Sequence, residues 1–136
     1  MADLVISSSL VQPTETSPFE SGICGAEFTA GQVGYVDASD SSRWKKAVAT
    51  ASASAAARGI ATGNFSTGQI GRFQTHETLN LGGGVSAGVV YAVSTNAGGI
   101  APIADVTTGN FITPLAVGAT TNNLSLTIFR SGIQKP

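Results

Sequence analysis

Three stretches of this sequence use one device: a small residue, a glycine, then apolar side chains at alternate positions. They are Thr29-Ala30-Gly31-Gln32-Val33-Gly34-Tyr35-Val36, Ser66-Thr67-Gly68-Gln69-Ile70-Gly71-Arg72-Phe73 and Ser86-Ala87-Gly88-Val89-Val90-Tyr91-Ala92-Val93. Glycine takes positive φ without the clash that a Cβ brings, so it marks a tight turn. Apolar spacing of two marks a strand with one buried face. The glycines at 31, 68 and 88 are unevenly spaced, which excludes a solenoid of fixed period. Further strands are predicted at Gly59-Ile60-Ala61, at Thr78–Leu81, at Phe111–Val117 and at Leu124–Phe129. In the last, Leu124, Leu126 and Ile128 share one face and Ser125, Thr127 and Phe129 the other. Only the alanine-rich Lys46–Arg58 predicts a helix, with Gly59 as its C-cap. Short strands between glycine turns predict a mainly β fold: a compact small barrel or sandwich with one short Ala-rich helix.

The first residues do not share that pattern. Leu4, Val5, Ile6, Leu10 and Val11 make an apolar strand or arm, and Gln12–Pro18 contains two prolines and no large apolar side chain. Proline biases itself and its predecessor toward extended backbone, so residues 1–18 are expected to be an arm with its linker. A single β-rich domain then runs over 19–136, a usual size for one domain. Detached from that body, the arm's apolar side chains would need cover on a neighbour.

Charge narrows the function classes. Charged residues are 11% of the chain, less than half of the ~25% usual for soluble domains, so the surface is poorly protected against association. Residues 1–42 carry acids and no Lys or Arg, whereas Arg43, Lys45, Lys46, Arg58 and Arg72 follow with no acid among residues 43–72. Two arrangements produce this layout: opposite patches meeting across copies, or two halves neutralising each other within one fold. A pI near 5.6 argues against nucleic acid. Cys24 is the sole cysteine, which excludes an intrachain disulfide. No basic residue precedes Arg43 and no apolar run approaches ~18 residues, so neither a signal peptide nor a membrane span is expected.

Catalytic motifs fail on context. Gly84-Val85-Ser86-Ala87-Gly88 has the spacing of a nucleophile elbow, but strand formers follow the serine and His76 precedes it. Gly82-x-Gly84-x-x-Ala87 lacks the helix that a phosphate loop requires. His76-Glu77 would need a second histidine where Asn80 stands, and one His with one Cys cannot hold zinc. Asp37–Ser42 offers oxygens without EF-hand spacing and reads as a turn. Asn64-Phe65-Ser66 and Asn123-Leu124-Ser125 match glycosylation acceptors, which have no meaning without secretion. No enzyme, metal or cofactor is expected. Trp44, between Arg43 and Lys45, is either a core tryptophan at a strand end or an interface anchor beside a cation.

Several segments together carry a resemblance. Thr29-Ala30-Gly31-Gln32 leads into Tyr35-Val36-Asp37 and Lys45-Lys46-Ala47; Ala57-Arg58-Gly59-Ile60-Ala61 follows. Then come Ala87-Gly88-x-x-Tyr91-x-Val93-Ser94, Gly98-Gly99-Ile100-Ala101-Pro102 and the closing Ser131-Gly132…Lys135-Pro136. This order resembles the bacteriophage capsid cement, or decoration, proteins over residues 22–136, departing at 62–85, where Phe65, Arg72, Phe73 and His76 stand. The resemblance implies a β-tulip-like module that trimerises on the outer surface of a virion and clamps neighbouring major capsid protein subunits. It implies assembly in the host bacterial cytoplasm, no catalytic residues, and no nucleic-acid or membrane partner. Leu4, Val5, Ile6 and Leu10 of the arm, with Arg43 and Trp44, are the expected contacts with capsid or sister subunits. The competing expectation is a head-fibre or tail attachment module that binds host glycan on the same β scaffold, using exposed aromatics.

Overall fold

Glycine sets the turns as the sequence requires: Gly31, Gly68 and Gly88 take φ of 95°, 87° and 82°, and a strand follows each. Gly98, at φ 79° before Ile100, is a fourth use of the device. The fold is seen in a computed structural model, which describes residues 3–13 and 18–136. Strands β1 (Phe19–Ile23), β2 (Val33–Asp37), β3 (Arg43–Lys46), β4 (Gly59–Ala61) and β5 (Ile70–Gln74) form one sheet, ordered β1-β5-β4-β2-β3. Strands β6 (His76–Asn80), β7 (Val90–Val93) and β8 (Ile100–Pro102) join a second sheet. Between β8 and the rest of that sheet comes β9 (Phe111–Ile112), followed by β10 (Pro114–Gly118) and β11 (Asn123–Thr127). The second sheet is ordered β6-β11-β10-β7-β8, and β9 pairs separately with β12 (Ile133–Gln134). These ladders are all antiparallel, and the chain is mainly β.

The first sheet closes on itself. Cys24, just past β1, bridges Trp44 of β3 in parallel, and the Gly25 amide donates to the Trp44 carbonyl at 2.7 Å. The resulting small barrel encloses Cys24, Phe28, Trp44, Ala61 and Phe73. Trp44 and Phe73 stack with ring centroids 4.0 Å apart and planes 3° from parallel, while Phe28 meets Phe73 edge-on. Room for three large rings inside five short strands comes from glycine. Gly22 and Gly71 face each other in register, and a Cβ on Gly22 would lie 2.6 Å from Trp44 Cδ1. One on Gly71 would lie 2.7 Å from Cys24 Sγ.

Alternation along each barrel strand divides its residues between two cores. Gly34, Ala61 and Phe73 point inward, while Val33, Ile60 and Gln74 point out toward the second sheet. There Val33 and Ile60 join Leu79, Tyr91, Leu115, Leu124 and Leu126 in the larger core. The architecture is thus a closed small barrel packed on an open sheet, within the barrel-or-sandwich class that the turn pattern predicts. Leu124 and Leu126 are buried and Ser125 and Thr127 exposed, as their alternation requires.

Three expectations need correction. The helix over Lys46–Arg58 shrinks to one turn, α1 (Ser52–Ala55). Its alanines serve a different purpose: Ala47, Ala49, Ala55 and Ala57 are buried, small enough for backbone to pass close by. Ala49 accordingly donates to the Ser94 carbonyl and accepts from the Phe111 amide. Gly59 is a strand residue rather than a cap: it pairs with Gly34 of β2, and a Cβ there would meet Phe73 at 2.9 Å. The strand over Phe111–Val117 breaks at Thr113, whose buried hydroxyl donates to the Ala55 carbonyl at 2.6 Å. Phe111–Ile112 thereby pairs with β12, and Pro114 begins a strand of the second sheet.

Candidate interaction surfaces

The arm lies on its own body. The Leu4 amide donates to the Ile100 carbonyl of β8 at 2.7 Å, and the Gln12 amide to the Asn80 carbonyl of β6 at 2.9 Å. β8 and β6 are the two edges of the second sheet, so the arm is a strap running from one open edge to the other. Unpaired edges invite association with other strands, and the strap covers part of both. Between these ends the 3-10 turn Ser8–Leu10 bends the chain, Ile6 lies 2.7 Å from the Cβ position of Gly31, and Val11 is buried in the larger core. Asp3 anchors the start, accepting from Ser94 Oγ at 2.6 Å and Asn96 Nδ2 at 3.0 Å. The arm is thus not detached from its body: Val11 is buried in the larger core, and Leu4 and Ile6 are partly buried against it. Val5 is 90% exposed and Leu10 49%, so these two remain outward. Linker residues 14–17 and residues 1–2 lie outside the described residues.

Trp44, 3% exposed, is a core residue and not a surface contact, because the barrel closes around its stack with Phe73. Arg43 stays exposed at the start of β3. The charge layout resolves toward internal neutralisation. Lys45 pairs with Asp37 at 3.0 Å and Asp40 at 3.1 Å, and Arg58 grips Glu20 through Nε at 3.0 Å and Nη2 at 3.1 Å. Each of these pairs joins the acidic block to the basic one. Hydrogen bonds from Ser39, then from Lys45, hold the Asp37 carboxyl below its usual range; Asp37 and Asp40 in turn raise Lys45. The Asp37–Ser42 turn thus closes on an ammonium group. Burial pushes the Cys24 thiol up.

Ser86 sits in the turn before β7, with a strand and no helix after it, and its amide donates to Tyr91 Oη at 2.9 Å. His76 opens edge strand β6, exposed, with Nδ1 3.0 Å from Thr75 Oγ1.

Sequence reasoning missed an outer face of the barrel. On β1 and β5, Ile23 stands opposite Ile70 and Ser21 opposite Arg72, and the Arg72 guanidinium lies 3.8 Å from the centre of the Phe19 ring. Ile70 is 66% exposed, and Ile23 and Phe19 are each about half exposed. The alternation of Ile70, Arg72 and Gln74 against Gly71 and Phe73 signals this face, but only the barrel interior shows which set faces out. Gln74 continues the outward set and is buried by the second sheet, with its Nε2 donating to the His76 and Thr78 carbonyls. The exposed part is therefore what the second sheet leaves uncovered. Comparison with family models, curated proteins and solved structures finds no match.

Proposed function

We propose that this chain is a structural virion protein that trimerises on the outside of a bacteriophage capsid and stabilises it by bridging major capsid protein subunits. The observation that carries the reading is the apolar face of β1 and β5, where Ile23 and Ile70 stand side by side in solvent next to Arg72 and Phe19. A cross-strand pair of isoleucines left bare in a chain with so few charges marks a surface completed by a neighbour. A head-to-tail contact of this face with a different surface of the next copy closes into a ring such as a trimer. Val5 and Leu10 on the strap add apolar contact area elsewhere on the surface. Three weak capsid contacts held in one trimer act together through effective concentrations near ~mM.

The test is to add purified protein to undecorated capsids and measure binding by cosedimentation and capsid stability by thermal disruption. Saturable binding with raised disruption temperature is expected. Ile70→Ser should leave the isolated fold within ~0.5 kcal/mol of wild type, as for other exposed positions, while weakening decoration. No binding by the wild type, or full decoration by the variant, would refute the assignment.

A further inference from the structure

The junction between barrel and second sheet leaves a cleft of about 420 Å³. Ile128, only partly buried, gives it an apolar side, and Arg58, Arg130, His76 and Glu20 its charge. The cleft already holds one carboxylate in the manner guanidinium groups favour, since Arg58 takes both oxygens of Glu20 through Nε and Nη2. Arg130 lies beside it. Its Nη1 donates to the Ala57 carbonyl at 3.2 Å, which fixes the guanidinium next to the Arg58 backbone. No carboxylate pairs with Arg130 among the described residues. His76 uses Nδ1 on Thr75, leaving Nε2 for a ligand.

We infer that this cleft binds a carboxylate side chain of a partner protein, an Asp or Glu flanked by an apolar residue. The chemistry selects that class. The guanidinium fork matches a planar carboxylate in two parallel hydrogen bonds. Ile128 suits an aliphatic neighbour. With Glu20 present, the surplus cation is one arginine, too little for a polyphosphate chain, whose binding draws on many cations at once. The inference rests on the docking reading only in that a protein supplies the carboxylate. It uses a different surface from Ile23 and Ile70, so either can fail alone.

The test uses the full chain without capsids, with NMR of arginine Nε–H and histidine ring signals during titration. The probes are the capped tripeptide Leu-Glu-Leu, its Leu-Gln-Leu counterpart and inorganic phosphate. Saturable shifts at Arg130 and His76 are expected with the Glu peptide, and at least tenfold weaker binding with the Gln peptide, the usual effect of losing a charged hydrogen-bonded pair. Arg130→Gln should weaken the Glu peptide about tenfold at unchanged thermal stability. Glu20→Gln, by freeing Arg58, should tighten it several-fold, which a merely structural role would not do. Equal binding of the two peptides, absence of saturation, or an Arg130→Gln variant that binds like wild type would overturn the proposal. Phosphate binding as tight as the Glu peptide would overturn the carboxylate assignment, leaving a general anion site.

Discussion

Replacing Gly22 by Ala tests the closed barrel directly, because its cost depends on a single side chain across the interior. Gly22 does not have positive φ, so alanine carries no backbone penalty there; on its own that change would stabilise by ~0.4–1 kcal/mol through the unfolded chain. The added Cβ instead enters the indole edge, 2.6 Å from Trp44 Cδ1 and closer still to Nε1. Trp44 cannot retreat, being stacked on Phe73 at 4.0 Å and 3% exposed. Overpacking of this kind costs ~1–3 kcal/mol. Trp44→Leu removes the indole edge at a cost of its own, ~3 kcal/mol, near the low end for truncating a buried aromatic. In that background Gly22→Ala should be neutral or slightly stabilising, giving a coupling of ~1–3 kcal/mol between the two positions. Equilibrium urea unfolding followed by far-UV circular dichroism measures all four proteins, and constant m-values would show that only stability changed. If the two substitutions add within ~0.5 kcal/mol, as independent sites do, the indole does not lie against Gly22 and the barrel interior is misassigned.

Val11→Ala removes two methyl equivalents from the larger core and should cost ~1.5 kcal/mol. It should also speed hydrogen exchange at the Leu4 and Gln12 amides, and unchanged exchange would show that the strap is not held by Val11. Asp37 and Lys45 bound a pH window. The lowered Asp37 contributes stability above its unfolded value near ~4 that is lost as pH falls through the folded value. The raised Lys45 contributes below its unfolded value near ~10.4 and loses this as pH rises through the folded one. The stability difference between wild type and Asp37→Asn should therefore be flat through neutral pH and shrink at both ends. A difference that grows in acid would contradict the pairing. Ser86→Ala should stay within ~0.5 kcal/mol, because the amide and not the hydroxyl makes the bond to Tyr91. A large loss in unfolding experiments would show that the turn uses the side chain.

The local rules of the fold were legible in the sequence. Gly31, Gly68 and Gly88 signal turns because only glycine takes positive φ at no cost, and the Leu124–Thr127 alternation fixes which face of β11 is buried. These are properties of neighbouring residues, so they survive without knowledge of the rest. The alanines of 47–57 were misleading for the same reason. Helix propensity is local, whereas Ala49 is held by the close passage of Ser94 and Phe111, and Ala47 by Val33 and Gly98. The candidate surfaces depended still more on distant partners. Trp44 is buried because Cys24, twenty residues earlier, pairs with it and closes the sheet. Val11 is buried, and Leu4 and Ile6 partly so, because β6 and β8 offer edges that the strap can bridge. Ile70 is exposed because the second sheet covers Gln74 and stops short of it. The period-two spacing divides each strand into two faces, whereas only sheet closure and packing decide which face meets solvent.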